Sequence, residues 1–162
     1  MTPAVKLYDL ADALQTDSEA FGVWLDRKTG GVIIIESEVM DAVESEQEDK
    51  LVDWQKEELA AARAISAGDS RYVALPTQFD FHEYRYMEKF VGTVADAGKA
   101  DQLRRAIKGK GAFRHFKDTA RRLDLIDDWY RYREAAMNEF MLRWAEVNQI
   151  PVDQTPRRPV RP

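Results

Sequence analysis

The residues best placed by type to do chemistry lie between His82 and Arg122. His82-Glu83 opens like the helix of zinc proteases, in which a second histidine follows at the fourth position. That position holds Tyr86, and the only other histidine is His115. The chain has no cysteine. Thiolate nucleophiles, disulfides and the common zinc ligand sets are therefore unavailable. Gly92 to Lys99 resembles a phosphate loop. Five residues rather than four separate its glycines, however, and Ala100 stands where a Ser or Thr would hold magnesium. No Gly-x-Ser-x-Gly elbow is present, and no spacing pairs two carboxylates in an apolar cleft. No catalytic residue, metal or cofactor is expected, and the chain reads as non-enzymatic.

The sharpest remaining stretch is Lys108 to Arg122. Lys108-Gly109-Lys110-Gly111 breaks one helical pattern and opens another, which points free backbone N–H groups and a positive helix end at the turn. Arg114, Lys117 and Arg121 follow at spacings of three and four, on one flank of the helix, while Phe113 and Phe116 are expected to anchor it in the core. Lys108, Lys110, Arg114, Lys117 and Arg121 form the candidate anion- or partner-binding set. Its expected partner is nucleic acid or an acidic protein. The plain alternative is a solvated helical face. The aromatic series Phe79, Phe81, Tyr84, Tyr86 and Phe90 suits base stacking in composition, but its helical spacing favours core packing.

Charge is divided along the 162 residues. The net charge is −5. Glu36 to Glu58 contains ten acidic residues and two lysines, whereas Arg104 to Arg122 contains eight Lys/Arg and one acid, Asp118. Two further readings follow. One is an enzyme acting on a phosphorylated small molecule near Gly109–Arg114. The other is a protein-interaction module using the acidic 36–58 segment, with a homodimer left open. The Met1–Lys6 segment has no apolar run and no 18-residue apolar stretch exists, so a cytoplasmic protein without a membrane partner is expected.

These residues need a frame. Phe21–Leu25 and Val32–Ile35 are aromatic and β-branched, and the intervening Asp26-Arg27-Lys28-Thr29-Gly30-Gly31 predicts a hairpin. Tyr72-Val73-Ala74-Leu75 is the expected third strand. Helical periodicity predicts helices over residues 6–16, 46–67, 100–107 and 126–148. Further ones follow Asp80, as an N-cap with Glu83 as its capping-box partner, and Gly111. The expected fold class is α+β and mainly helical, with five or six helices and a small antiparallel sheet near the N-terminus. Residues 1–150 are expected as a single globular domain, and 151–162 as a flexible basic tail rich in Pro and Arg.

Several stretches are familiar together. They are Trp24-Leu25-Asp26 through Thr29-Gly30, Tyr72–Pro76 running into Glu83–Phe90, Gly109–Asp118 with Gly109-Lys110-Gly111-Ala112-Phe113-Arg114 its most distinctive part, and Trp129-Tyr130 with Arg133 and Trp144. The pattern resembles a bacterial family of uncharacterised proteins, of the UPF type, over about residues 5–150. The resemblance brings no activity, cofactor or catalytic residue. It implies that the basic glycine turn is a family hallmark.

Overall fold

The computed structural model describes residues 2–158. Helices dominate and the strands are few and short, so the chain is mainly helical α+β. It divides into two compact units, residues 1–78 with 141–162, and residues 79–140.

The first unit begins with β1 (Val5–Lys6) and α1 (Leu7–Ala13). The hairpin follows as β2 (Phe21–Asp26) and β3 (Gly31–Glu36), which pair antiparallel from Phe21↔Glu36 to Asp26↔Gly31. Gly30 takes φ +73 in the turn. The third strand forms as expected: β4 (Tyr72–Ala74) adds to β2 with Leu25 opposite Val73. Asp26 sits where turn, β2 and β4 meet. Its carboxylate accepts the Lys28 N–H at 2.9 Å and two bonds from Arg71, Nε at 2.8 Å and Nη2 at 2.7 Å. The side chain is almost fully buried, so the bidentate guanidinium is what makes its charge tolerable there.

α2 (Ser37–Glu44) continues from β3. The continuous helix expected over 46–67 does not form. The chain instead makes a 3-10 turn (Glu48–Lys50), α3 (Asp53–Lys56) and α4 (Leu59–Ser66). A single helix would have put polar Gln55 between Leu51 and Leu59 on the apolar stripe. In the broken form Gln55 is buried but satisfied. Its Nε2 donates to the Glu36 and Glu38 carboxylates, and its Oε1 accepts the Val52 N–H. Ile35, Val39, Leu51, Leu59 and Ala62 form the core around it. Val52 and Trp54 face water.

The segment expected as a tail starts as β5 (Val152–Asp153), parallel to β1 with Val5 opposite Val152. Beyond it Arg157 pairs with Asp12, and its guanidinium lies 4.9 Å from the centre of the Tyr8 ring. Pro159, Arg161 and Pro162 lie outside the described residues.

The second unit holds α5 (Gln78–Phe81), α6 (Glu83–Val91), α7 (Ala97–Ala106), α8 (Ala112–Arg122) and most of α9 (Ile126–Val147). The expected Asp80 capping box is absent. His82 stands between α5 and α6 in the left-handed region at φ +59, and the Glu83 carboxylate pairs with Arg133 instead of turning back to a cap. The break lets Phe81 bury itself, stacked on Tyr86 at 4.4 Å and edge-on to Phe140 at 5.5 Å. The core beside it is Met87, Phe90, Leu103, Phe116, Ala120 and Trp129.

Three helices end on non-glycine residues in the left-handed region, Glu46, Asp124 and Gln149. In each, the next N–H reaches back to the carbonyl five residues earlier: Gln47 to Ala42, Leu125 to Ala120, and Ile150 to Ala145. Glycine would adopt these angles without the Cβ penalty. Glu46→Gly, Asp124→Gly and Gln149→Gly are each expected to raise stability by roughly 0.5–1 kcal/mol, read as a higher urea midpoint at unchanged slope. The Arg71 hydrogen bonds hold the Asp26 carboxyl down from 3.8 to about 2. A depressed folded value stabilises the protein above the unfolded value, and that contribution is lost as pH falls from 3.8 towards 2. Urea titrations across that window should show wild type losing about 2 kcal/mol more than Asp26→Asn.

Candidate basic surface of the second unit

The turn that opens α8 depends on its glycines. Gly109 and Gly111 take φ +84 and +72. A Cβ at Gly109 would meet nothing within 4 Å, and one at Gly111 only ordinary contacts with His115. The constraint is therefore the backbone angle, which costs other residues about 1–2 kcal/mol each. Between them Lys110 projects into water. No side chain caps α8. The start of α7 is different: Asp96 Oδ1 accepts the Gly98 and Lys99 N–H groups at 2.9 and 3.1 Å. Those are the donors a phosphate would need, so the loop-like Gly92–Lys99 stretch is a self-capped helix start.

α8 is oriented by its apolar side. Phe116 and Ala120 are fully buried, with Phe116 edge-on to Trp129 at 5.0 Å and to Phe90 at 6.2 Å. All five candidate cations remain at the surface. Lys108, Lys110, Arg114 and Arg121 are exposed and Lys117 is half-buried. Asp118 is shared between Arg114 Nε at 3.9 Å and Arg121 Nη1 at 3.5 Å. These are solvent-exposed pairs, worth less than about 1 kcal/mol each. Among the described residues, Lys108, Lys110 and Lys117 have no carboxylate within 4.0 Å. The charge difference follows the structural division. Residues 79–140 carry thirteen Lys/Arg against eleven Asp/Glu, and the remainder of the chain eleven against eighteen.

One expectation is corrected. Phe113 does not anchor α8 in the core; it is 46% exposed. On a helix wheel it lies about 60° from Phe116, at the edge of the buried arc, and on the same flank as Lys117 and Arg121. The aromatic series at residues 79–90 packs mostly inward: Phe81 and Phe90 are buried, Tyr84 and Tyr86 half-buried, and only Phe79 is strongly exposed. Tyr84 spends its hydroxyl on the Ile107 carbonyl at 3.0 Å. Among the described residues no group of three His, Asp or Glu is placed to hold a metal ion. No helix there is long and apolar enough to cross a membrane.

Other surfaces offer less. In the first unit a solvent-open cleft of about 540 Å³ lies between Ala13, Thr16, Phe21, Trp24, Leu75 and Pro76. Its lining has no ionisable group. A second, formed by Val43, Glu46, Glu48 and Asp49, has acidic walls.

Among known proteins, the chain is 26% identical over 147 residues to the UPF0158 protein PA5073 of Pseudomonas aeruginosa, a match spanning 90% of this chain and 84% of that one. No solved structure gives a significant match. The profile of the uncharacterised protein family UPF0158 matches residues 1–155, which carry both units and the glycine-flanked basic helix, and the chain belongs to that family.

Proposed function

We propose that this chain is a binding module whose 104–122 surface engages the phosphate backbone of a nucleic acid. The observation that carries this reading is the set of Lys108, Lys110 and Lys117, held at the surface by a rigid turn and helix without a nearby carboxylate. Unneutralised cations at fixed spacing gain most from a polyanion, because each phosphate contact releases condensed counterions. The net charge of −5 does not oppose this, since the acidic excess belongs to residues outside 79–140. On this reading the Gly109–Arg114 turn is the working feature of the family as well as of this chain.

A second reading makes the acidic segment a protein-contact surface. Trp54 favours it, being 59% exposed beside exposed Val52 and among the carboxylates of residues 36–58. An aromatic side chain left in water and ringed by polar groups suits an interface anchor. If the contact is with a second copy, light scattering will show wild type gaining mass with concentration and Trp54→Glu staying monomeric. Equal monomeric masses would remove that form of the reading.

Binding to labelled oligonucleotides tests the first. Affinity should fall linearly in log–log form with salt, at a slope of about −3 for four to five phosphates on a single strand. Lys110→Glu combined with Arg114→Glu should abolish binding while leaving the melting temperature unchanged. Absence of binding to any RNA or DNA at low salt would overturn the reading.

A further inference from the structure

The exposure of Phe113 has a chemical neighbourhood. Phe113, Lys117 and Arg121 stand at i, i+4 and i+8 on α8. Successive members of such a row are about 6 Å apart along the axis. At its far end Arg121 Nη2 donates to the Tyr130 hydroxyl at 3.5 Å. Tyr130, near the start of α9, is itself 42% exposed. The row therefore runs ring, cation, cation, ring across two helices of one unit.

Neither ring is explained by packing. The same helices bury Phe116 and Trp129 completely, so the core beneath is already filled by aromatic side chains. Phe113 makes no ring contact with Phe90, Phe116 or Trp129, which contact one another. Two flat apolar faces flanking a pair of cations offer stacking surfaces to bases and counter-charges to the phosphates between them. A duplex hides its base faces by stacking, so the complement is a single strand.

We propose that Phe113, Lys117, Arg121 and Tyr130 form a stacking platform for single-stranded nucleic acid, with bases on the two rings and phosphates on the two cations. The proposal rests on the phosphate-binding reading above and sharpens it, naming which form of nucleic acid is bound and by which rings.

Fluorescence anisotropy with full-length protein tests it, using oligo(dT), oligo(U) and a duplex, each of about 20 nucleotides or base pairs so that one platform is fully covered. The two single strands separate DNA from RNA as the source. The expected result is at least one single strand bound about tenfold or more tighter than duplex at equal salt. Phe113→Ala and Tyr130→Ala should each weaken it by about fivefold to a hundredfold without changing the salt slope, since no phosphate contact is lost. Phe113→Trp should retain binding, and Phe79→Ala, which removes an exposed ring outside the row, should leave it unchanged. Melting curves matching wild type establish that the variants fold. If single strand and duplex bind alike, or both alanine variants bind as wild type while the Lys110/Arg114 reversal does not, the platform is wrong and phosphate binding stands. Equal loss in Phe79→Ala would also overturn the platform. No binding to any of the three at low salt would overturn both.

Discussion

The surface of the second unit depends on how Phe116 meets Trp129. Edge-to-face packing at 5.0 Å, with Phe90 closing the triangle at 5.5 and 6.2 Å, leaves α8 little freedom to roll about its axis. A roll of one residue, about 100°, would carry Lys117 into the space of Phe116, where an ammonium group would find no partner. The aromatic contact therefore decides which side chains of α8 meet water. The glycines at 109 and 111 decide where the helix begins. Between them they turn a short basic sequence into a surface of fixed geometry. The Trp129 indole N–H is buried without a conventional partner among the described residues. Among the described residues it is the buried side-chain polar atom left without a hydrogen-bond partner.

Much of this frame was legible in the sequence. The hairpin followed from β-branched runs about a glycine turn, and Tyr72–Ala74 was the expected third strand because a lone hairpin is only marginally stable. The stripe of Phe116 and Ala120 was legible from spacing alone, as was α9. Two departures from that pattern have a common origin: polar side chains that satisfy distant partners. Gln55 broke a helix whose apolar periodicity looked continuous, because its amide could reach Glu36 and Glu38 across 19 and 17 residues. Glu83 abandoned a capping box for Arg133, 50 residues away. Periodicity registers neither partner. Phe113 departs from the helical pattern for a different reason. A residue at the edge of a buried arc is assigned to core or surface by the neighbouring element, which the helix pattern does not contain.

The surface placement of Lys108, Lys110, Arg114 and Arg121 follows from residue type alone, since exposure of Lys and Arg at a glycine turn is the ordinary outcome. Only the structure shows which of them share Asp118 and which have no counter-charge, and that Tyr130 adjoins Arg121. The difference matters because Lys108, Lys110 and Lys117 meet an anion without giving up an ion pair, while Arg114 and Arg121 give up only weak, exposed pairs with Asp118.

The parallel pairing of Val5–Lys6 with Val152–Asp153 sets an order on how the chain matures. Every residue of the 79–140 unit has been made by residue 140, and contacts such as Phe81 with Phe140 and Glu83 with Arg133 close within it. β1 must wait for a partner 147 positions downstream. Loop closure over that span is paid in entropy before any ladder bond repays it. As the chain leaves the ribosome, the basic helical unit can therefore consolidate while the strand at the start of the chain is still unpaired, and the acidic unit is completed last.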